Sequence, residues 1–257
     1  MQELKTKGLV LREVAVGEAD KIITIFTEEQ GKISVSARGA RKPRSRFVAG
    51  TQVFAYCDFI LYKGKNNWNL SQVEVIETFH NLRNDIYVLS CGIYMMELLE
   101  TVGEENSPNE KLLKLTLYTL WKLANGELDP KLVLRIYEWK VMSFSGFTPE
   151  VIFCVHCGEE KEYFPFFSIP EGGVLCEECC DIDSSAKKIL PGTLYTIHYI
   201  LSSDHYILSS DLKALFQFQV SPQVLKELSV LSQAFVGYYL DKKFKTLAFI
   251  EELGSAY

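Results

Sequence analysis

Polar and apolar positions alternate along much of the first eighty residues. In Lys32–Arg38, Ile33, Val35 and Ala37 fall on one face, and Lys32, Ser34, Ser36 and Arg38 on the other. A period of two marks a half-buried strand. Four further strands are predicted, over Leu4–Val14, Lys21–Thr27, Gln52–Lys63 and Trp68–Thr78. Turn-like clusters separate them: Val16–Asp20, Glu28–Gly31 and Gly64-Lys65-Asn66-Asn67. The fourth strand is apolar on both faces. One row is Val53, Ala55, Cys57, Phe59 and Leu61; the other is Phe54, Tyr56, Ile60 and Tyr62. The second row is expected to pack against the next domain, with stacking on nucleic-acid bases as the alternative.

From His80 the period lengthens to three and four. Leu82, Ile86, Leu89, Ile93 and Met96 form one stripe, and Tyr87, Cys91, Tyr94, Leu98 and Val102 a second. A helix apolar on two sides is buried on two sides, which predicts a central place for this one in a helical domain. A second helix carries Leu112, Leu113, Leu117, Leu120 and Leu123 and ends near Asn125-Gly126. A third opens at Asp129-Pro130, an N-cap followed by proline at the first helical position. It shows Leu132, Ile136, Trp139 and Ser143 on one face and stops at Gly146. Further helices are predicted over Pro191–Ser203, after the Ser221-Pro222 cap, and through Leu253.

Five short antiparallel strands suit a small closed barrel such as the OB fold. The fold predicted is multidomain α+β. An N-terminal five-stranded OB-fold β-barrel occupies residues 1–80, a helical domain residues 81–150 and 184–257, and an inserted four-cysteine zinc module residues 151–183.

The module is read from Cys154-Val-His-Cys157-Gly158 and Cys176-Glu-Glu-Cys179-Cys180, with eighteen residues between Cys157 and Cys176. Two Cys-x-x-Cys pairs at this separation match four-cysteine zinc spacing. Each pair chelates from a tight turn, and the second turn swings back to complete a tetrahedron. Gly158 suits such a turn because it lacks Cβ. His156 sits between ligands and is expected to point away. Cys154, Cys157, Cys176 and Cys179 are the expected ligands of one structural Zn²⁺; four ligands leave no open position for catalysis. Whether Cys180 replaces Cys179 stays open. Two disulfides would need an oxidising compartment, and a redox pair would be single. Between the pairs, the aromatics of Tyr163–Ile169 are expected to form a β-hairpin and its small core, with Pro170–Gly173 as the turn before the second pair.

The composition, 47% hydrophobic and 23% charged, is that of an ordinary globular chain. No apolar run approaches the ~20 residues that span a bilayer. The first residues lack the apolar core of a signal peptide. A cytoplasmic protein with reduced cysteines, not in a membrane, is expected, with Cys57 and Cys91 in the core. The net charge of −6 divides unevenly: +3 over residues 1–80 and −9 over the rest. From Lys32 to Arg46 there are six basic residues and no acidic one. Guanidinium groups on a flexible loop fit phosphate oxygens, so Lys32, Arg38, Arg41, Lys42, Arg44 and Arg46 are the candidate DNA-binding residues. The bland alternative is a solvated loop. Lys242, Lys243 and Lys245 form a smaller basic knot suited to a helix C-terminus. The chain has no phosphate-binding loop, nucleophile elbow or His-Glu-x-x-His helix. Its histidines, His80, His156, His198 and His205, are scattered. A binding protein is favoured over an enzyme.

Several of these stretches resemble the RecO family of bacterial recombination mediators. Gly17-Glu18-Ala19-Asp20, Phe26-Thr27, Gly31-Lys32, Gly39-Ala40-Arg41-Lys42 and Ser45 are similar to its N-terminal pattern. Ser145-Gly146-Phe147, Cys154-x-x-Cys157-Gly158 and Cys176-x-x-Cys179 resemble its middle region, and Leu240–Leu253 its end. Thr246 departs from the serine expected there. The resemblance implies a non-catalytic protein that binds single- and double-stranded DNA and anneals complementary strands. It also implies loading of the RecA recombinase onto DNA coated by single-strand-binding protein. RecR and the C-terminal tail of single-strand-binding protein would be its partners, with RecA engaged indirectly, in the nucleoid. Composition and periodicity alone reach only a zinc-containing OB-fold protein that binds nucleic acid. On that basis an RNA-binding protein of translation or RNA processing, or a nucleic-acid enzyme with an unrecognised site, are the competing readings.

Overall fold

A computed structural model describes residues 2–65, 67–202 and 209–254. Asn66 of the predicted turn, the predicted helix end at Ser203, and His205 lie outside the described residues. The N-terminal strands are β1 (Glu3–Val16), β2 (Asp20–Thr27), β3 (Gly31–Ala37), β4 (Tyr56–Lys63) and β5 (Trp68–Glu77). They close into a barrel in the order β1-β2-β3-β5-β4, with β4 returning to β1. Every pairing is antiparallel except β3 with β5, which meet over Val35–Trp68 and Ser36–Asn69. Val10, Ile23, Ile25, Ile33, Val35, Phe59 and Leu61 fill the interior, and the alternation of β3 holds residue by residue.

The fourth strand is shorter than the sequence predicts. Ala49–Thr51 form a 3-10 turn, and Phe54 takes a left-handed backbone with φ 75°. That conformation breaks extended structure for a non-glycine residue. It lets Phe54 leave the barrel: its ring meets Gly92 of α1 (Ile86–Val102), where an added Cβ would lie 3.1 Å away. The outer row is therefore divided, since Phe54 packs on a helix while Tyr62 does not.

His80–Asn84 is a 3-10 turn rather than the start of the helix. Asp85 is extended and caps α1, accepting from the N–H groups of Tyr87 and Val88. The interruption shifts the helical phase, so Leu82 and Ile86 no longer share a stripe. Ile86 and Ile93 are 50% and 42% exposed, and the buried side runs through Cys91, Tyr94, Met95, Leu98 and Leu99. After α1 the chain passes over one end of the barrel. Glu105 bridges to Gly31, and the Glu104 carbonyl accepts from the Lys32 N–H at 3.0 Å. Gly31 has φ +58°, and a Cβ there would fall on the Ser107 carbonyl, with the Glu104 oxygen at 2.9 Å. Gly31→Ala is expected to lower stability by about 2 kcal/mol or more, from strained backbone plus overlap. Gly126 has φ +65° in open space, so Gly126→Ala carries the backbone part alone. Urea unfolding of the two variants measures the difference, and equal losses would show that the Ser107 approach is unimportant.

Helix α2 (Glu110–Asn125) follows. Packing groups Met1–Asn125 with Thr246–Tyr257 as one compact unit and Gly126–Lys245 as another. The second unit contains α3 (Pro130–Phe144), α4 (Pro191–Ser202), α5 (Ser209–Leu215) and α6 (Pro222–Tyr239); α7 (Lys245–Gly254) begins at its end. A small sheet in the order β7-β6-β8 is formed by β6 (Phe166–Ser168), β7 (Gly173–Leu175) and β8 (Lys187–Lys188). The centre of this unit is α3, packed against α4 and α6. Every residue from Leu132 to Met142 is buried, including Arg135, Glu138 and Lys140. The stripe of Leu132, Ile136 and Trp139 carried no signal for these buried charges. Arg135 and Glu138 are one turn apart and pair at 3.2 Å, as buried charges must. Phe167 of the hairpin lies 6.0 Å from Trp139 and 6.4 Å from Phe235. The hairpin's apolar side thus belongs to the α3–α6 core rather than to a core of its own.

Candidate nucleic-acid interface and four-cysteine centre

The basic segment after β3 is a succession of hydrogen-bonded turns. The Lys42 N–H donates to the Gly39 carbonyl at 3.1 Å and the Ser45 N–H to the Lys42 carbonyl at 2.9 Å. The segment is also tied to the β1–β2 turn. The Asp20 carboxylate accepts from the Gly39 N–H at 2.7 Å, and the Arg41 guanidinium donates to the Gly17 carbonyl at 2.8 Å. The Gly17–Asp20 and Gly39–Lys42 stretches, separate in sequence, are therefore one hydrogen-bonded corner of the barrel.

Arg38, Arg41, Lys42, Arg44 and Arg46 are all exposed on this corner. Arg38 and Arg46 also line a groove of about 560 Å³ with Ser36, Phe47, Tyr62 and Asn69. The Arg46 guanidinium donates to the Ser71 carbonyl at 2.9 Å and lies 5.0 Å from the centre of the Phe47 ring. The Tyr62 hydroxyl donates to Glu3 at 2.7 Å. A groove with two guanidinium groups and two aromatic rings can hold a phosphate and an unstacked base together. Phe47, Asn69 and Ser36 were missed in the sequence. The available signal was the Tyr56–Ile60–Tyr62 row of β4, which puts Tyr62 on the outside. Lys32 is placed elsewhere: its ammonium donates to the Glu100 carbonyl at 2.7 Å, at the end of α1.

In the second unit Cys154, Cys157, Cys176 and Cys179 bring their sulfurs within 4.8 Å of one another. Two tight turns do this. The Gly158 N–H donates to the Cys154 carbonyl at 2.9 Å, with Gly158 at φ +74°. In the other pair the Cys179 N–H donates to the Cys176 carbonyl at 3.2 Å. The hairpin carries the second pair to the first, because the Val155 N–H donates to the Val174 carbonyl at 3.0 Å. The Cys157 and Cys176 sulfurs are 3.9 Å apart. A tetrahedron with metal–sulfur bonds of ~2.3 Å has edges of ~3.8 Å, so the donor set fits one tetrahedral ion. Cys180 is outside the cluster, with its thiol 3.8 Å from the Asp181 carboxylate, and His156 is exposed.

The thiols divide the charge unevenly. Burial raises the Cys154 pKa, but hydrogen bonds from the backbone of Cys157, Cys176 and His156 outweigh it and bring it to about 6. Burial pushes Cys176 up, and the hydrogen bond to Cys176 does the same for Cys179. Four thiolates this close repel, and only a cation among them would make all four favourable. The four cysteines are the one group of four potential metal ligands among the described residues.

Fold and sites together define a class: a multidomain α+β protein that joins an OB barrel with a basic groove to a helical unit with a four-cysteine centre. Residues 1–79 match the family model described as Recombination protein O N terminal, and residues 83–248 the one described as Recombination protein O C terminal. Curated relatives called DNA repair protein RecO match along nearly the whole chain. The one from Acetivibrio thermocellus is 39% identical over 253 residues, 98% of each chain. That from Alkaliphilus metalliredigens is 36% identical over 93% of this chain and 94% of its own. That from Bacillus pumilus is 34% identical over 98% and 95%. The chain belongs to the RecO family of DNA repair proteins. No described helix is long and apolar enough to cross a membrane.

Proposed function

We propose that this chain is a non-catalytic recombination mediator that binds single- and double-stranded DNA, anneals complementary strands, and helps load RecA onto single strands coated by single-strand-binding protein. RecR and the tail of single-strand-binding protein are its partners, and it works at the nucleoid in the cytoplasm. The observation that carries the reading is the groove of Arg38, Arg46, Phe47 and Tyr62 on the barrel of a chain that matches its family over residues 1–79 and 83–248. Phosphate contacts from Arg38, Arg41, Lys42, Arg44 and Arg46 position a strand without reading its sequence. They also offset the repulsion between two strands brought together. Arginine suits this work because its planar fork grips phosphate oxygens in pairs. The four cysteines hold one structural zinc ion that fixes the hairpin to the helical unit.

The test is annealing of complementary oligonucleotides coated with single-strand-binding protein, with and without this chain. Faster annealing with the chain, and oligonucleotides recovered chemically intact after incubation with Mg²⁺, are the expected results. Tighter binding to RNA in direct competition, or cleavage of the strands, would overturn the reading.

A further inference from the structure

Helix α2 presents a distinct chemistry on its exposed side. Lys111, Lys114, Tyr118 and Trp121 follow one another at three- and four-residue spacing, so they share a face, and Lys122 stands beside them. The other side, through Leu112, Leu115 and Leu120, is buried. The rings of Tyr118 and Trp121 stack, with centroids 5.8 Å apart and planes inclined by 29°. The Lys122 ammonium lies over both, 5.2 Å from the Trp121 ring and 5.9 Å from the Tyr118 ring. Trp121 is 43% exposed, whereas Trp68 and Trp139, the other two tryptophans, are 5% and 1% exposed.

A stacked aromatic pair on the surface leaves a large flat apolar area in water, and burying it against another flat ring is favourable. The charges beside it select the partner. The residues of α2 include three lysines, Lys111, Lys114 and Lys122, and one carboxylate, Glu110, which pairs with Lys114 at 2.6 Å. Cations next to a stacking platform are what single-stranded nucleic acid requires: bases on the rings and phosphates on the ammonium groups.

We propose that this face of α2 is a second contact for single-stranded DNA, outside the barrel and sharing no residue with its groove. Bases stack on Tyr118 and Trp121, and neighbouring phosphates sit on Lys111, Lys114 and Lys122. The proposal rests on the reading that the chain binds DNA and adds a separate site to it. Duplexes, whose base faces are already stacked, engage it weakly.

Because Trp121 is the exposed tryptophan, its fluorescence reports on the site directly. Titration with an oligothymidylate at low salt is expected to quench the intrinsic fluorescence, and a duplex of equal length to quench it much less. Trp121→Phe is expected to abolish most of the quenching while keeping most of the affinity, since phenylalanine still stacks. Trp121→Ala is expected to bind about ten- to a hundredfold more weakly. Replacing Lys111, Lys114 and Lys122 by Gln is expected to reduce the log–log salt slope by about 2. Quenching that persists in Trp121→Phe, or an unaltered affinity in Trp121→Ala, would overturn the proposal. So would a wild-type protein that binds oligothymidylate without quenching, although DNA binding at the barrel would then stand. A wild-type protein that binds no oligonucleotide at all would overturn both.

Discussion

Cys154→Ser is expected to purify with close to no zinc, against about one ion per chain for the unaltered protein, and to be less stable by several kcal/mol. The reason lies in how the four sulfurs are gathered. Cys154 and Cys157 come from one turn, Cys176 and Cys179 from another, and the hairpin between them places Phe167 against Trp139 and Phe235. Loss of an ion held there would free both turns and loosen the seat of Phe167 in the α3–α6 core. Binding free energy at such sites is coupled to folding, so the loss appears as unfolding at lower denaturant. Metal analysis of reduced protein and urea titration with and without a chelator measure the two effects. Cys57→Ala and Cys91→Ala are the controls. Both side chains are fully buried, and burial pushes the Cys57 thiol up to about 12, far from a ligand thiolate. They are expected to keep the metal and to lose on the order of 1 kcal/mol. Metal-free wild-type protein, or loss of metal in either control, would overturn the assignment.

Replacing Arg41, Arg44 and Arg46 together by Ala is expected to weaken single-strand binding strongly. The salt slope is expected to fall by about 2, at roughly 0.7 for each phosphate no longer neutralised. The weakening is expected to be equal for all sequences, because on the proposed reading these groups would contact phosphate rather than base edges. Arg41 and Arg46 already donate to the Gly17 and Ser71 carbonyls. Those bonds hold the guanidinium groups in place while leaving donors for phosphate, since each guanidinium has five. The side chains are exposed, so the fold is expected to be little destabilised. Lys32→Ala provides the contrast. Its ammonium is engaged by the Glu100 carbonyl, so this change is expected to leave the salt slope alone and to lower stability slightly. Filter binding over a salt series decides. An unaltered slope in the triple variant would make the corner a solvated surface, with Lys242, Lys243 and Lys245 the next candidates.

Short-range patterns carried much of this protein into the open. The alternation of β3 reports its two environments directly, because successive side chains of a strand point to opposite faces. The Cys-x-x-Cys pairs are local chelating turns, so their spacing identifies the cluster before any fold is known. Asp129-Pro130 and Ser221-Pro222 marked their helix starts through capping chemistry that acts within three residues.

What the tertiary structure alone decided depends on residues distant in the chain. Leu82, Ile86 and Ile93 read as one stripe, yet Asp85 broke the helical phase, and the choice was made by packing rather than by spacing. Arg135, Glu138 and Lys140 are charged residues that would ordinarily meet water, and they are buried only because α4 and α6 cover α3. Lys32 sits in the basic run, but its ammonium is claimed by the last turn of α1. The groove required the parallel β3–β5 pairing, which sets Asn69 beside Ser36 and so places Tyr62 near Arg38 and Arg46. Periodicity describes which face of an element is apolar. Which partner meets that face, and which charge finds an acceptor across a sequence gap of tens of residues, is settled only when the barrel closes and the helices pack.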